Sequence, residues 1–317
     1  MNILVTGALG QLGTAIRSSK KPKNGIYFYA DLFGDPKTNG IDKLDITNQE
    51  DVAAYIDKNK IDIIINCAAY TNVEGAETNE QNAYILNAIA PSILADEIKK
   101  RNGWLIHIST DYVFGTEQYN TPCTEDMNGT PLGVYGHTKK QGEIFIMASG
   151  CKYIIIRTSW LYCEYGKNFC KTITDGLIYK KNLRVVEDQV GTPTYAKDLA
   201  DAIITINNNF ITKSDAEKYV GIYHYSNEGV CSWYDFACEI RNNLILSDDD
   251  PSYGTVSPCH SSEYPSKVKR PSYSVLDKTK IKNTFELEIP HWRDSLELCM
   301  DKILIQMIID EHHKKIQ

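Results

Sequence analysis

The chain has 317 residues, enough for a large packed core, and its 42% apolar and 24% charged residues are ordinary for a globular enzyme. A formal net charge of −7 without a basic stripe argues against nucleic acid and against an anionic membrane surface as partners, which leaves small molecules. Nine cysteines with no Cys-x-x-Cys pair and no metal-finger spacing read as buried apolar residues in a reducing compartment; with no cationic leader and no apolar run near the roughly 20 residues of a membrane helix, a cytoplasmic protein without a bound metal is expected.

In chain order, the apolar run Ile3–Val5 leads into Gly7-Ala8-Leu9-Gly10-Gln11-Leu12-Gly13 and a helical pattern near 11–20. A strand that ends in closely spaced glycines and opens a helix lets the backbone approach a pyrophosphate, whose charge sits on unpaired N–H groups and the helix dipole. The spacing Gly-x-x-Gly-x-x-Gly is looser than the dinucleotide fingerprint and by itself also fits a tight strand-to-helix turn. A second strand, Ile26–Asp31, ends in an acid about 20 residues past the glycines, where a carboxylate can hold a ribose 2′-hydroxyl, and this favours the dinucleotide site. Asp31, with no arginine beside it, opposes a 2′-phosphate and favours NADH over NADPH on charge.

Further strands are expected at Asp62–Cys67, Trp104–Ser109 and Tyr153–Arg157, alternating with helical patterns near 48–59, 79–101 and 136–149. This βαβα rhythm predicts an α/β fold built on a doubly wound parallel sheet, and strands as uniformly apolar as Ile63-Ile64-Ile65 imply helices on both faces. Ligands then bind beyond the carboxyl ends of the strands. After about residue 160 the pattern is less regular, with polar loops at Leu161–Lys167 and Asp248–Arg270. The expected division is a dinucleotide-binding domain over 1–160, with later segments interleaved, and a smaller, mainly substrate-binding region over 161–317. Asn207–Asn209, Asp248–Asp250 and His312–Lys315 read as a polar helix end, a solvated loop and a surface tail.

Two short segments carry chemistry. Ile106–Phe114 places Ser109, Thr110 and Asp111 where a hydrophobic strand ends, so that a hydroxyl can bond a substrate carbonyl; the same residues also suit a cap or turn. Tyr135 and Lys139, in Tyr135-Gly136-His137-Thr138-Lys139, are four apart and share one helix face. A nearby ammonium would lower the phenol from its ordinary value near 10 toward use at neutral pH, although a surface i,i+4 pair has the same spacing.

Taken together, Asn2–Gly7, Gly10–Gly13, Ser109–Phe114, Tyr135-Gly136-x-Thr138-Lys139 and Arg157–Trp160 resemble the extended short-chain dehydrogenase/reductases. With Asp188-Gln189-x-Gly191-x-Pro193-Thr194, Asp198–Ala200, Gly221-x-Tyr223-His224, Ser232–Tyr234 and Arg270-Pro271, the chain resembles the dTDP-4-dehydrorhamnose reductases along nearly its whole length. The resemblance implies reduction of the 4-keto group of dTDP-4-dehydro-L-rhamnose to dTDP-L-rhamnose, a donor for surface polysaccharide, by NADH or NADPH. It implies Tyr135 as proton donor, Lys139 as the group that lowers its pKa and holds the nicotinamide ribose, and Thr110 as a second bond to the same oxygen. Asp111 and Trp160 match sugar-nucleotide positions, with core packing the other reading of Trp160. Gly7, Gly10, Gln11, Leu12, Gly13, Asp31, Asp45, Ile46, Ala68, Ala69 and Tyr70 match cofactor positions, several through backbone atoms. Asn87 resembles the helix asparagine that supports the lysine. A homodimer is left open. The alternatives are a nucleotide-sugar epimerase, a nucleotide-sugar dehydratase, against which Tyr112 stands where that reaction needs a second carboxylate, and a non-catalytic regulatory subunit of the methionine adenosyltransferase β type.

Overall fold

The computed structural model describes residues 1–316 except 23–24, 116–119, 249–251, 265 and 267. Asp249 and Asp250 of the expected solvated loop lie outside the described residues, as do the side chains of Asp248 and of His312–Lys315. Seven strands form the central sheet: β1 (Asn2–Thr6), β2 (Ile26–Asp31), β3 (Asp42–Lys43), β4 (Ile63–Asn66), β5 (Trp104–Thr110), β6 (Lys152–Thr158) and Gly221–His224. Their spatial order is Gly221–His224, β6, β5, β4, β1, β2, β3, and every pairing is parallel. The two edge strands go beyond the five expected from sequence. A two-residue β3 is too short to show a period, and Gly221–His224 joins the sheet from the less regular half.

From β1 the chain winds outward to β2 and β3, then returns to place β4 on the other side of β1. That reversal opens a crevice at the carboxyl ends of β1 and β4, the place where doubly wound sheets bind their ligands. Strand alternation divides the core. Ile3, Val5, Ile63, Ile65, Ile106 and Ile156 pack on one face of the sheet, while Leu4, Ile64, Leu105 and Ile155 pack on the other. The first face is covered by helices Gln11–Ser18, Ala196–Asn209 and Trp292–Ile316, the second by Gln49–Asn59, Ala90–Lys99 and Val134–Ser149.

The single helix expected near 79–101 is instead interrupted by a π-helical turn at Ile85–Ile89, between Glu80–Tyr84 and Ala90–Lys99. Pro91 supplies the reason: it has no N–H for the carbonyl of Asn87 four residues back. Helix Val134–Ser149 crosses at this point so closely that a Cβ on Gly142 would lie 2.2 Å from the Asn87 carbonyl oxygen. Its first turn is capped from outside, Val134 N–H donating to Glu77 Oε1 at 2.8 Å. Shorter pairs complete the second half: Leu161–Tyr162 with Thr194–Tyr195, Val190–Gly191 with Cys231–Ser232, and Asn182–Val186 with Thr255–Cys259. Among the described residues no helix is long and apolar enough to cross a membrane.

Strand-to-helix packing at the first turn depends on Gly13, where a Cβ would lie 2.2 Å from the Gly7 carbonyl oxygen and 2.6 Å from Ala8 Cα. Backbone cannot rotate aside as a side chain can. Gly13→Ala is therefore expected to destabilise the fold by about 1–3 kcal/mol in urea unfolding, against the few tenths or more that alanine ordinarily adds inside a helix.

Candidate active site

The glycine turn is built as a cradle. Gly7 has φ +66°, and a Cβ there would sit 2.6 Å from Ala68 N, so β1 and the segment after β4 approach each other with no room for a side chain. Gly10 is the N-cap of helix Gln11–Ser18 and its N–H bonds the Gly7 carbonyl at 3.0 Å, but no side chain caps the helix. Its first-turn N–H groups thus remain free of a side-chain acceptor, as an anion site requires. Leu12 is buried in the core, so only its backbone is open to a ligand. Gln11 reaches the other half of the chain, its Oε1 accepting from Asn168 Nδ2 at 3.0 Å and from Cys163 Sγ at 3.3 Å.

Asp31 closes the β2 side of this cradle. One carboxylate oxygen accepts the Leu9 N–H and the other the Phe33 N–H, each at 3.1 Å, which ties the acid to the glycine loop itself. Leu44 N–H bonds the Asp31 carbonyl at 3.0 Å, bringing in the next loop. There Asp45 Oδ1 accepts from the Thr47 N–H at 2.9 Å and its hydroxyl at 2.6 Å, and Ile46 is buried in the core. On the β4 side Ala68, Ala69 and Tyr70 are half-buried. Asn87, buried in the π turn, accepts the Tyr70 N–H at 2.8 Å and donates to the Tyr70 carbonyl at 3.1 Å and to Thr138 Oγ1 at 3.1 Å. It clamps the loop after β4 to the helix of Tyr135, and its partners among the described residues are Tyr70 and Thr138 rather than Lys139.

The partners of Lys139 are different ones. Only 2% exposed, it donates from Nζ to the Ile108 carbonyl at 2.6 Å and meets His107 Nε2 at 3.2 Å. Burial lowers its pKa to about 8, against the opposing pull of Glu143 one turn along the helix. His107 is fully buried and held well below its ordinary value, first by burial and then by the Lys139 charge, so the ring is neutral. Sequence reasoning assigned His107 no part, although a lone polar residue in an otherwise apolar strand is the available signal. It also passed over Glu143, which receives Ser109 Oγ at 2.5 Å and a two-point bond from Arg157, Nε to Oε1 at 3.0 Å and Nη2 to Oε2 at 2.7 Å.

Thr110, Asp111 and Tyr135 converge. The Tyr135 phenol stands near enough to Thr110 for that side chain to act on its titration, and its ring meets Tyr112 edge-on at 5.4 Å. Burial raises the phenol pKa well above its ordinary value, Thr110 opposing and Asp111 and Tyr112 adding to the rise; the lowering expected from Lys139 is not found, because burial dominates and the lysine is not among the groups acting on the phenol, which stays protonated. Asp111 is 2% exposed, and its Oδ1 accepts from Thr110 Oγ1 at 3.1 Å while Oδ2 is buried with no partner. Thr110 pairs in register with Thr158, and two residues on Trp160 takes φ +47° and stacks on Trp233 with centroids 3.6 Å apart and planes 12° apart. Trp160 is half-buried, and it backs onto Gly191, where a Cβ would lie 2.8 Å from the indole. Among the described residues no cluster of His, Cys, Asp or Glu could hold a metal ion.

Burial pushes the Asp111 carboxyl up to about 6, so the folded chain holds that proton more tightly than the unfolded one. Stability from this group is therefore highest below the unfolded value and falls as pH rises through the window from about 4 to about 6, by about 3 kcal/mol in all. Asp111→Asn should remove this slope. Urea unfolding of both proteins at pH values on either side of that window measures it, and parallel pH dependences would contradict the assignment.

The family model described as the RmlD substrate binding domain matches residues 1–305. The chain is 38% identical over 296 residues to the dTDP-4-dehydrorhamnose reductase of Aggregatibacter actinomycetemcomitans, covering 93% of this chain and 97% of that one. It is similar to the crystal structure of a dTDP-4-dehydrorhamnose reductase from Clostridium acetobutylicum, at 37% identity and TM-score 0.82, over 96% of this chain and 100% of that one. A second such reductase, from Bacillus anthracis in complex with NADP, aligns at 34% identity and TM-score 0.81, over 95% and 99% of the two chains. With the model spanning nearly the whole chain and its relatives aligned end to end, this protein belongs to the dTDP-4-dehydrorhamnose reductase family.

Proposed function

We propose that the chain reduces the 4-keto group of dTDP-4-dehydro-L-rhamnose to the alcohol of dTDP-L-rhamnose, using NADH or NADPH. Family membership and the relatives' activity support this, and the observation that carries it is the meeting of the Tyr135 phenol and the Thr110 hydroxyl beside a buried carboxylate oxygen that lacks a partner. The residues present fit a dinucleotide. The glycine cradle admits no Cβ at Gly7, the helix after it has uncapped N–H groups, and Asp31 stands at the end of β2 to take a ribose hydroxyl.

Gly7, Gly10, Gln11, Leu12 and Gly13 would hold the pyrophosphate through backbone; Asp31, Asp45 and Ile46 would border the adenosine half, and Ala68, Ala69 and Tyr70 the nicotinamide half. When bound, the cofactor supplies a hydride to the carbonyl carbon. Tyr135 gives its phenolic proton to the carbonyl oxygen, and Thr110 donates a hydrogen bond to the same oxygen as negative charge develops there. A phenol kept protonated by burial is the form this direction needs. Lys139, charged below about pH 8, holds the nicotinamide ribose and stabilises the phenolate left after transfer. Asp111 Oδ2 accepts from a sugar hydroxyl, and the Trp160 indole, fixed by Trp233, offers a flat wall to the deoxysugar. In this reading residues 1–160 with the interleaved strand Gly221–His224 bind the cofactor, and 161–317 supply most of the substrate side. Nine free thiols support a cytoplasmic setting.

The test follows NADH and NADPH absorbance with enzymatically generated dTDP-4-dehydro-L-rhamnose, and well-folded protein that oxidises neither would overturn the proposal. Tyr135→Phe is expected to lose roughly 10²–10⁴ in kcat, the usual worth of a positioned proton donor, with cofactor affinity unchanged in a fluorescence titration. Undiminished turnover in that variant would remove Tyr135 from its role.

A further inference from the structure

A hydrogen-bonded chain runs beneath the site from Thr6 on β1 through Asn66 on β4 and His107 on β5 to Lys139, and its polarity can be worked out link by link. The Ala68 backbone N–H can only donate, and it points at an Asn66 side-chain atom 3.2 Å away, which must therefore be the amide oxygen. That oxygen also accepts from Thr6 Oγ1 at 2.7 Å. The other end of the amide, Nδ2, is then a donor, and it faces His107 Nδ1 at 3.0 Å. A ring nitrogen that accepts carries no proton, so the neutral imidazole bears its proton on Nε2, the atom 3.2 Å from Lys139 Nζ.

This leaves two arrangements. With Lys139 as an amine, the Nε2–H donates to the nitrogen lone pair and every link of the chain is satisfied. With Lys139 as an ammonium, Nε2 must accept; the ring proton then moves to Nδ1 and opposes the Asn66 amide N–H, donor against donor. The chain is buried, with Thr6, Asn66 and His107 each at 0% exposure, so no solvent relieves that opposition. The Ile108 carbonyl accepts from Nζ in either state and does not decide between them.

We propose that His107 is a positioning residue: with its proton held on Nε2 by the Asn66 amide, it favours the amine form of Lys139 and sets the alkaline limit beyond which the site stops working. The proposal rests on the reductase reading only for its effect on turnover. The other groups that face Lys139 are Glu143, one turn along its own helix, and Cys67, just past β4, while Tyr135 lies one turn earlier. Glu143 supports the ammonium but is shared with Arg157 and Ser109, and the Cys67 thiol is pushed up to about 12 by burial, so it is neutral. The burial-driven fall of Lys139 to about 8 runs in the same direction as the effect assigned to His107.

Two measurements test it. Long-range ¹H–¹⁵N correlation on the full-length protein labelled with ¹⁵N-histidine, with His107 assigned by its loss in His107→Gln, should show the Nε2–H tautomer above the Lys139 titration, where the lysine is an amine; the Nδ1–H tautomer in that state would overturn the proposal. In His107→Gln a side-chain oxygen can accept from the ammonium, so the Lys139 ¹³Cε titration and the alkaline fall of kcat/KM should both move up by about one pH unit, a tenfold change in proton affinity. Asn66→Asp offers a second route: the carboxylate accepts a ring Nδ1–H, Nε2 turns acceptor, and the same upward movement is expected. An unmoved Lys139 titration in whichever folded variant binds cofactor normally would overturn it. Absence of reductase turnover would instead strike the reductase reading, leaving the tautomer and the lysine titration to decide this one.

Discussion

A lysine sunk to 2% exposure has to find its hydrogen bonds inside the protein, and most of this site is arranged by that requirement. Lys139 reaches the Ile108 carbonyl on one strand and, through His107, is linked to Asn66 and Thr6 on the next two. The links cross β5, β4 and β1, so the same side chains that place the amine also align the carboxyl ends of three neighbouring strands. Since Gly7 follows Thr6 directly, the glycine turn and the helix of Tyr135 and Lys139 share one floor. Misplacing either would misplace both.

The helix that carries Tyr135 and Lys139 is held to this floor by close approach rather than by bulk. Gly142 lets it cross the π turn at Asn87, and Asn87 in turn clamps the Tyr70 backbone and Thr138. Two turns past Tyr135, Glu143 forms a buried two-point bond with Arg157 of β6. Removing one member of such a pair would leave an uncompensated charge in the interior, which is why the pair holds the helix so firmly against β6. The phenol, Thr110 and Asp111 are thereby held within one compartment.

The second half of the chain is stitched to the first at several points instead of hanging from a linker. Gln11 bonds Asn168 and Cys163, Gly221–His224 extends the central sheet, and Trp160 leaves β6 to stack on Trp233. The left-handed backbone at Trp160 costs conformational energy that the indole stack and the close fit against Gly191 offset. A wall made in this way is stiff.

Sequence alone determined the alternation of apolar strands and helical segments, and with it the parallel sheet, because strand and helix periods are local properties of the chain. The glycine turn, the acid ending β2, the Ser109–Asp111 segment and the Tyr135/Lys139 pair were legible for the same reason: each is a short string whose chemistry and spacing need no partner to be recognised. Tertiary structure alone decided what those groups meet. That Lys139 meets His107 while Asn87 bonds Tyr70 and Thr138, that Asp111 keeps one oxygen unpartnered, and that Trp160 stands on Trp233 all depend on residues brought together from distant parts of the chain. Periodicity reports which face of an element is buried; it carries no record of which polar atom waits on the other side, and in a low-dielectric interior that atom sets the chemistry.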